Sequence, residues 1–296
     1  MKQALAALLL APLHGLIRLG FRPPRVKERG NPTDFGLDFD EASIPTVNGQ
    51  RLFGWFIPAP SPPAPAIALL HGWGGNAEMM LPLAPLLHRA GYGVLLFDAR
   101  CHGRSDNDTF ASLPRFAEDL EHALAWLEKQ PSVDPARLAA LGHSVGAGAA
   151  LLAASRSDKL AAVISVAAFS HPENMMRRFL ASRRIPHNPL GRYILRHVEK
   201  TIGYRFDDIA PMHTISSVKC PVLLVHGEED ETVPVEEAFA IRDAGKAEKI
   251  TLLLLPGSGH DPAGGIESHG TTVTEFLKRA MSPDRPELGV AGETAG

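Results

Sequence analysis

The sequence predicts an α/β protein: a mostly parallel central sheet with helices on both faces, an N-terminal antiparallel hairpin and a helical cap insertion. Three observations carry that expectation. Six short, almost wholly apolar runs read as strands buried on both faces, the pattern of a parallel sheet under two helical layers. Helical patterns separate those runs. One long segment, about 170–212, holds helical pieces and no buried strand, so it reads as an insertion over the sheet.

The elements follow in order. Residues 1–30 form an apolar and basic segment: "ALAALLLAPL" and then Arg18, Arg22, Arg25, Lys27 and Arg29. It resembles a signal peptide, but no A-x-A cleavage site follows at a suitable distance, and it is too short and broken for a membrane span. An apolar helix beside basic residues suits an anionic headgroup layer, so peripheral membrane contact is one expectation; a helix packed on the domain is the other. The main domain spans 31–281. "ASIPTVNGQRLFGWFIPAP" places Asn48-Gly49 between two extended runs, a hairpin signal. "AIALLHG" is the first buried strand, and Asn76 is placed to cap a helix running to Ala90. "GYGVLLFDAR" is the second, followed by a helix from about Leu113 to Lys129. "RLAALGHS", "LAAVISVAA", "CPVLLVHG" and "KITLLLLPG" continue the sheet, with helices over Val235–Ala244 and Ile266–Met281. Residues 282–296 read as a flexible tail.

Composition bounds the function. The 296 residues are 45% hydrophobic and 21% charged with a net charge of −3, an ordinary globular balance with no basic field for nucleic acid. Charge is uneven: His171–Arg205 carries eight Lys/Arg against two Glu. The two cysteines, Cys101 and Cys220, are too few for a disulfide framework and fit a reducing, cytoplasmic setting. Cys101 follows a strand near the expected site, where a packing role outweighs a reactive one. Although the chain has 13 histidines, it shows no H-x-x-x-H or clustered carboxylate pattern, so no metal is expected.

The chemistry concentrates in "GHSVG", Gly142–Gly146. A serine between a buried strand and a small-residue helix fits a sharp turn that lifts its hydroxyl out of the chain path. The bland alternative is a serine capping that helix. A serine hydroxyl needs a base, and the base needs a carboxylate to hold its tautomer. Downstream, Asp230 and His260 each follow a strand end, on the same edge of the sheet as Ser144. Glu228 and Glu229 compete with Asp230, and His269 competes with His260 but falls where the last helix is expected. Backbone N–H groups of Trp73 and Val145 are the expected oxyanion donors, with Gly74 a rival to Trp73.

These motifs, "HGWGGN", "FDARCHGRSD", "GHSVG", "HGEEDETVP" and "GSGHD", resemble in order and spacing those of the α/β-hydrolase superfamily. The likeness is to its serine-hydrolase branch of small esterases, monoacylglycerol-lipase-like enzymes and S33 peptidase relatives. It covers about Ser43 to Met281. It implies the α/β-hydrolase fold, with Ser144 as nucleophile, Asp230 as acid, His260 as base, Trp73 and Val145 as oxyanion donors, and no cofactor. The usual D-x-R-G-H-G carries Cys101 in place of its first glycine. The expected function is a serine hydrolase that cleaves carboxylic esters through an acyl-enzyme, on a small ester or lipid-like substrate. Peptidase, thioesterase, perhydrolase and lysophospholipase readings keep the same residues. A binding protein that has kept only the fold is the remote alternative.

Overall fold

The computed structural model describes residues 2–261 and 263–282. Eight strands form one sheet: β1 (Asp40–Pro45), β2 (Arg51–Ile57), β3 (Ala64–Leu70), β4 (Gly93–Phe97), β5 (Val133–His143), β6 (Leu160–Val166), β7 (Val222–Gly227) and β8 (Ile250–Leu255). Their order is β1-β2-β4-β3-β5-β6-β7-β8. β1 and β2 form the expected hairpin, and β2 also pairs antiparallel with β4. The remaining neighbours are parallel. Asn48 and Gly49 turn the hairpin with φ of 58° and 71°, the left-handed region that this dipeptide tolerates.

Helices cover both faces. α1 is Lys2–Gly20, α2 Ala84–Arg89, α3 Leu113–Leu127 and α4 Val145–Arg156. α5 (Pro172–Ser182), α6 (Arg192–Ile202), α7 (Phe206–Ile209) and α8 (Pro211–Thr214) make up the insertion between β6 and β7. α9 (Glu236–Ala244), α10 (Ala263–Ser268) and α11 (Gly270–Ala280) complete the set. Alternate residues of each strand feed opposite cores. Ala66, Ala68 and Leu70 of β3 pack with α3, α4 and the insertion, while Ile67 and Leu69 pack with α2 and α11.

Two expected helices differ. The Asn76–Ala90 stretch is a 3-10 turn, Ala77–Leu83, before the short α2. Pro82 supplies no N–H to continue an α-helical ladder. Asn76 does not cap it: its side-chain amide donates to Val26 O at 3.2 Å, while Ala77 N–H goes to Asp98 Oδ1 at 2.7 Å. The last helix is split at His269, with φ −104°. α1 runs through Pro12 as helix. Among the described residues no helix is long and apolar enough to cross a membrane. The tail expected over 282–296 lies, beyond Ser282, outside the described residues.

Residues 21–30 lie as a strap across two loops at the strand ends. Arg25 donates to Gly103 O at 2.8 Å, to Asn107 Oδ1 at 2.6 Å and to Ser105 O. The Arg29 and Gly30 N–H groups reach the Glu78 carboxylate at 2.9 and 3.0 Å.

Candidate active site

β5 ends at His143 and α4 begins at Val145, so Ser144 alone makes the turn. Its φ and ψ are 54° and −115°, a strained conformation that costs on the order of 1–3 kcal/mol. Close packing holds it there. A Cβ on Gly142 would lie 2.2 Å from Gly146 O, and one on Gly146 would lie 2.5 Å from both Leu70 O and His71 O. The Ser144 N–H is anchored to Val166 O at 2.8 Å. A simple helix cap is excluded by geometry, because the Ser144 side chain makes no capping hydrogen bond.

Three strand ends meet here. His260, after β8, sets Nε2 3.1 Å from Ser144 Oγ and Nδ1 2.8 Å from Asp230 Oδ2. Asp230, after β7, accepts the Thr232 and Val233 N–H groups on its other oxygen at 2.9 and 2.8 Å. Burial alone would raise its pKa, but the hydrogen bond from His260 and these amides outweigh it. The carboxyl is held below its ordinary range. The competitors stand aside: Glu228, Glu229 and Asp261 are exposed, and His269 Nδ1 is bonded to Gly265 O at 2.9 Å.

The loop after β3 carries Trp73. A Gly75 N–H to Gly72 O bond of 3.1 Å closes a turn, with Gly74 at φ 73° in the position that demands glycine. Pro24 of the strap packs so closely that a Cβ on Gly74 would lie 2.7 Å from it. Among the described residues, neither the Trp73 nor the Val145 N–H has a hydrogen-bond acceptor.

Three histidines near these loops escaped the sequence reading as functional groups. His143 Nε2–H donates to the backbone carbonyl of His260 at 2.7 Å and so ties the loop after β8 to the serine turn. Burial keeps its pKa below the ordinary value, which suits a neutral donor. The signal was in view, since His143 adjoins the serine, but only the fold brings residue 260 to it. His71 donates through Nδ1 to Gly72 O at 2.7 Å and accepts Ala99 N–H at 3.0 Å, linking the loops after β3 and β4. Burial, with His102 adding to it, lowers His71 to about 3; burial lowers His102 to about 4.

Cys101 sits at φ 66°, which explains the family glycine at that place: a side chain there costs on the order of 1–2 kcal/mol. Burial pushes its thiol up, away from the reactive thiolate, in keeping with a packing role. Arg100 beside it is buried against Asp119 at 2.6 Å, joining the loop to α3. Among the described residues, one group has metal-ligand character: His171, Asp207 and His213, with ligand atoms within 4.8 Å of one another. His171 Nδ1 accepts Glu173 N–H at 3.2 Å, so Nε2 holds the proton and donates to Asp207 at 3.0 Å. His213 likewise donates to Asp207 O at 2.9 Å. Hydrogen bonds within the group account for this arrangement.

Comparison with known proteins agrees with the fold. The chain is 33% identical over 251 residues to the uncharacterized protein Rv2307c of Mycobacterium tuberculosis, covering 84% of this chain and 80% of that one. It is 29% identical over 248 residues to the uncharacterized protein YfhR of Escherichia coli, covering 80% and 79%. Among solved structures, the Pyrococcus furiosus esterase Pf2001 superposes with a TM-score of 0.70 at 25% identity, over 88% of this chain and 98% of that one. The sequence model of the prolyl oligopeptidase family matches residues 115–282, more than half of the chain. That stretch holds Ser144, Asp230 and His260, and it names a peptidase family other than the S33 relatives. The chain is a hydrolase that belongs to the prolyl oligopeptidase family, in the serine-hydrolase branch of the α/β-hydrolase superfamily.

Proposed function

We propose that the protein is a serine carboxylesterase working through a covalent acyl-enzyme. The observation that carries this is the unbroken hydrogen-bond chain from Ser144 Oγ through His260 to Asp230. In the first half-reaction Ser144 Oγ bonds to the ester carbonyl carbon while His260 Nε2 takes its proton. The tetrahedral intermediate collapses, the alkoxy bond breaks, and the alcohol leaves with the proton from His260. Water then gives a proton to His260, attacks the acyl carbonyl and releases the acid and Ser144. Asp230, already accepting two backbone amides and thereby fixed, holds His260 Nδ1–H and stabilises the imidazolium. The Trp73 and Val145 N–H groups take the oxyanion, and the positive end of α4 adds to them.

An ester is favoured by the likeness to Pf2001, which spans nearly all of that esterase. The family match favours the second reading, a peptidase using the same residues. The test is a panel of p-nitrophenyl esters from acetate to octanoate alongside peptide p-nitroanilides, with Ser144→Ala as control. The proposal expects ester kcat/KM to exceed amide kcat/KM by at least a hundredfold and Ser144→Ala to abolish both. Faster amide cleavage would move the assignment to peptidase, and undiminished turnover by Ser144→Ala would discard it.

Peripheral membrane contact belongs to the same proposal. Leu16 and Leu19 are 65% and 67% exposed on α1, beside Arg18 and Arg22. Flotation with anionic but not with neutral vesicles is the expected result; no flotation with either removes it.

A further inference from the structure

A cavity of about 500 Å³ lies between α1, α6 and the loop 101–111. None of Ser144, Asp230, His260, Trp73 or Val145 lines it, so it is a place apart from the ester-cleaving machinery. Its size falls in the range of ligand sites, roughly 300–1,000 Å³. Ile17 and Phe21 from the N-terminal segment, Phe110 and Ala111 from the loop, and Val198 and Ile202 from α6 give it apolar walls. Ile17 and Ala111 are buried, and the other four are no more than half-exposed.

Three of the four Asp, Glu, Lys or Arg residues that line the cavity are arginines. Arg18, Arg22 and Arg25 all line it, and all three are exposed. Among the described residues no carboxylate lies within ion-pair distance of any of them. Arg25 is held in place by three neutral oxygens, which fix the guanidinium without cancelling its charge. The one carboxylate in the lining, Asp108, is already matched by Arg100 at 3.3 Å and Arg115 at 3.2 Å. Apolar walls with uncompensated guanidinium groups among them call for a molecule with a hydrocarbon chain and a single anionic head. The guanidinium fork matches a carboxylate bidentately.

We propose that this cavity is a binding site for a fatty acid, with the carboxylate held by Arg18, Arg22 and Arg25 and the chain lying between α1 and α6. Binding here does not depend on the ester-cleavage reading. It is tested on the full chain with the fluorescent fatty acid cis-parinaric acid, displaced by dodecanoate or by dodecanol. Saturable binding at one site is expected, with dodecanoate displacing the probe at least tenfold better than dodecanol. The exposed double variant Arg18→Glu/Arg22→Glu should weaken binding at least tenfold. Val198→Trp, which fills the cavity, should do the same while p-nitrophenyl acetate hydrolysis persists. Protein phosphonylated at Ser144 should bind the probe as well as the free protein does. Absence of saturable binding, equal displacement by dodecanol, or unchanged affinity in the double variant would overturn the proposal. So would loss of binding on phosphonylation, which would put the chain at the serine instead. If Ser144 takes no phosphonate, the ester reading fails while the displacement experiment still decides this one.

Discussion

At the rim of the sheet, Ser144, Asp230 and His260 each follow the end of a strand whose other residues are locked into a ladder. Two of the three are more than 90% buried, and every polar contact among them is short. The insertion is put together differently. α5 fully buries only Pro172 and Leu180 and α6 only Ile194 and Leu195; half-buried apolar residues such as Phe179 and Val198 flank them, and Arg177, Arg192 and Arg196 stand exposed. Both ends of the insertion meet at Ser170, whose carbonyl takes Met212 N–H at 3.1 Å and whose N–H goes to Glu237 at 2.8 Å. The difference separates two demands. Chemistry needs atoms fixed to a few tenths of an ångström, which strand ends supply. A charged helical insertion offers a surface that can vary without disturbing the sheet.

The sharpest way to break that division is at the rim. Asp230→Asn should keep the fold yet lower kcat on the order of 10⁴-fold, because the amide no longer fixes the His260 tautomer. A loss below tenfold, read from steady-state rates, would show that the carboxylate is structural. Glu237→Gln tests the other region. Glu237 is buried, and the hydrogen bonds from Ser170 and Arg178 hold it ionised against the pull of burial. Its neutral replacement should cost about 2 kcal/mol in urea unfolding and raise KM more than it lowers kcat. An equal fall in kcat with KM unchanged would erase the distinction between the regions.

A finer probe is the tie from His143 to the His260 carbonyl. His143→Phe removes the donor and should lower kcat about tenfold with KM little changed, since a small misplacement of the base slows the reaction step. His143→Gln, which keeps a donor, should recover most of it. If both variants lose the same amount, the ring is packing and not a tether.

The smallest effect is in stability against pH. His71 and His102 titrate at about 3 and about 4 in the fold but near 6.5 when unfolded. Below pH 6.5 the unfolded chain therefore binds more protons at both, and each drains about 1.4 kcal/mol per pH unit until its folded pKa is reached. Asp98 acts with the opposite sign. Burial and the adjacent Glu28 carboxyl push it up to about 8, so its folded form takes the proton first as pH falls. The difference between variants isolates one group. His102→Gln should lose stability less steeply than the parent between pH 6.5 and 5, by about 1.4 kcal/mol per unit. Parallel curves would contradict the buried neutral imidazole.

Much of the rim was legible in the sequence, for a physical reason. Strands buried on both faces must be apolar throughout, so AIALLHG and CPVLLVHG stand out, and the polar residues just beyond them are at the rim by necessity. The G-x-S-x-G glycines are demanded by backbone contacts near 2 Å that no side chain survives. What stayed hidden depends on partners distant in sequence. The His143 tether needs residue 260 beside it, and Asn76 turns from capping to binding Val26 only because the strap lies there. The 3-10 stretch before α2 and the break at His269 were missed because hydrophobic spacing alone does not mark where a helical ladder stops. The insertion was located but not resolved into its helices' packing, since short amphipathic pieces can dock in many ways.

The most direct measurement is exposure of the folded protein to a fluorophosphonate followed by mass spectrometry of its peptides. A single phosphonyl adduct on Ser144, formed far more slowly in Asp230→Asn, is the result expected if imidazole and carboxylate arm that hydroxyl. An adduct on another residue, or none on folded protein, would contradict it.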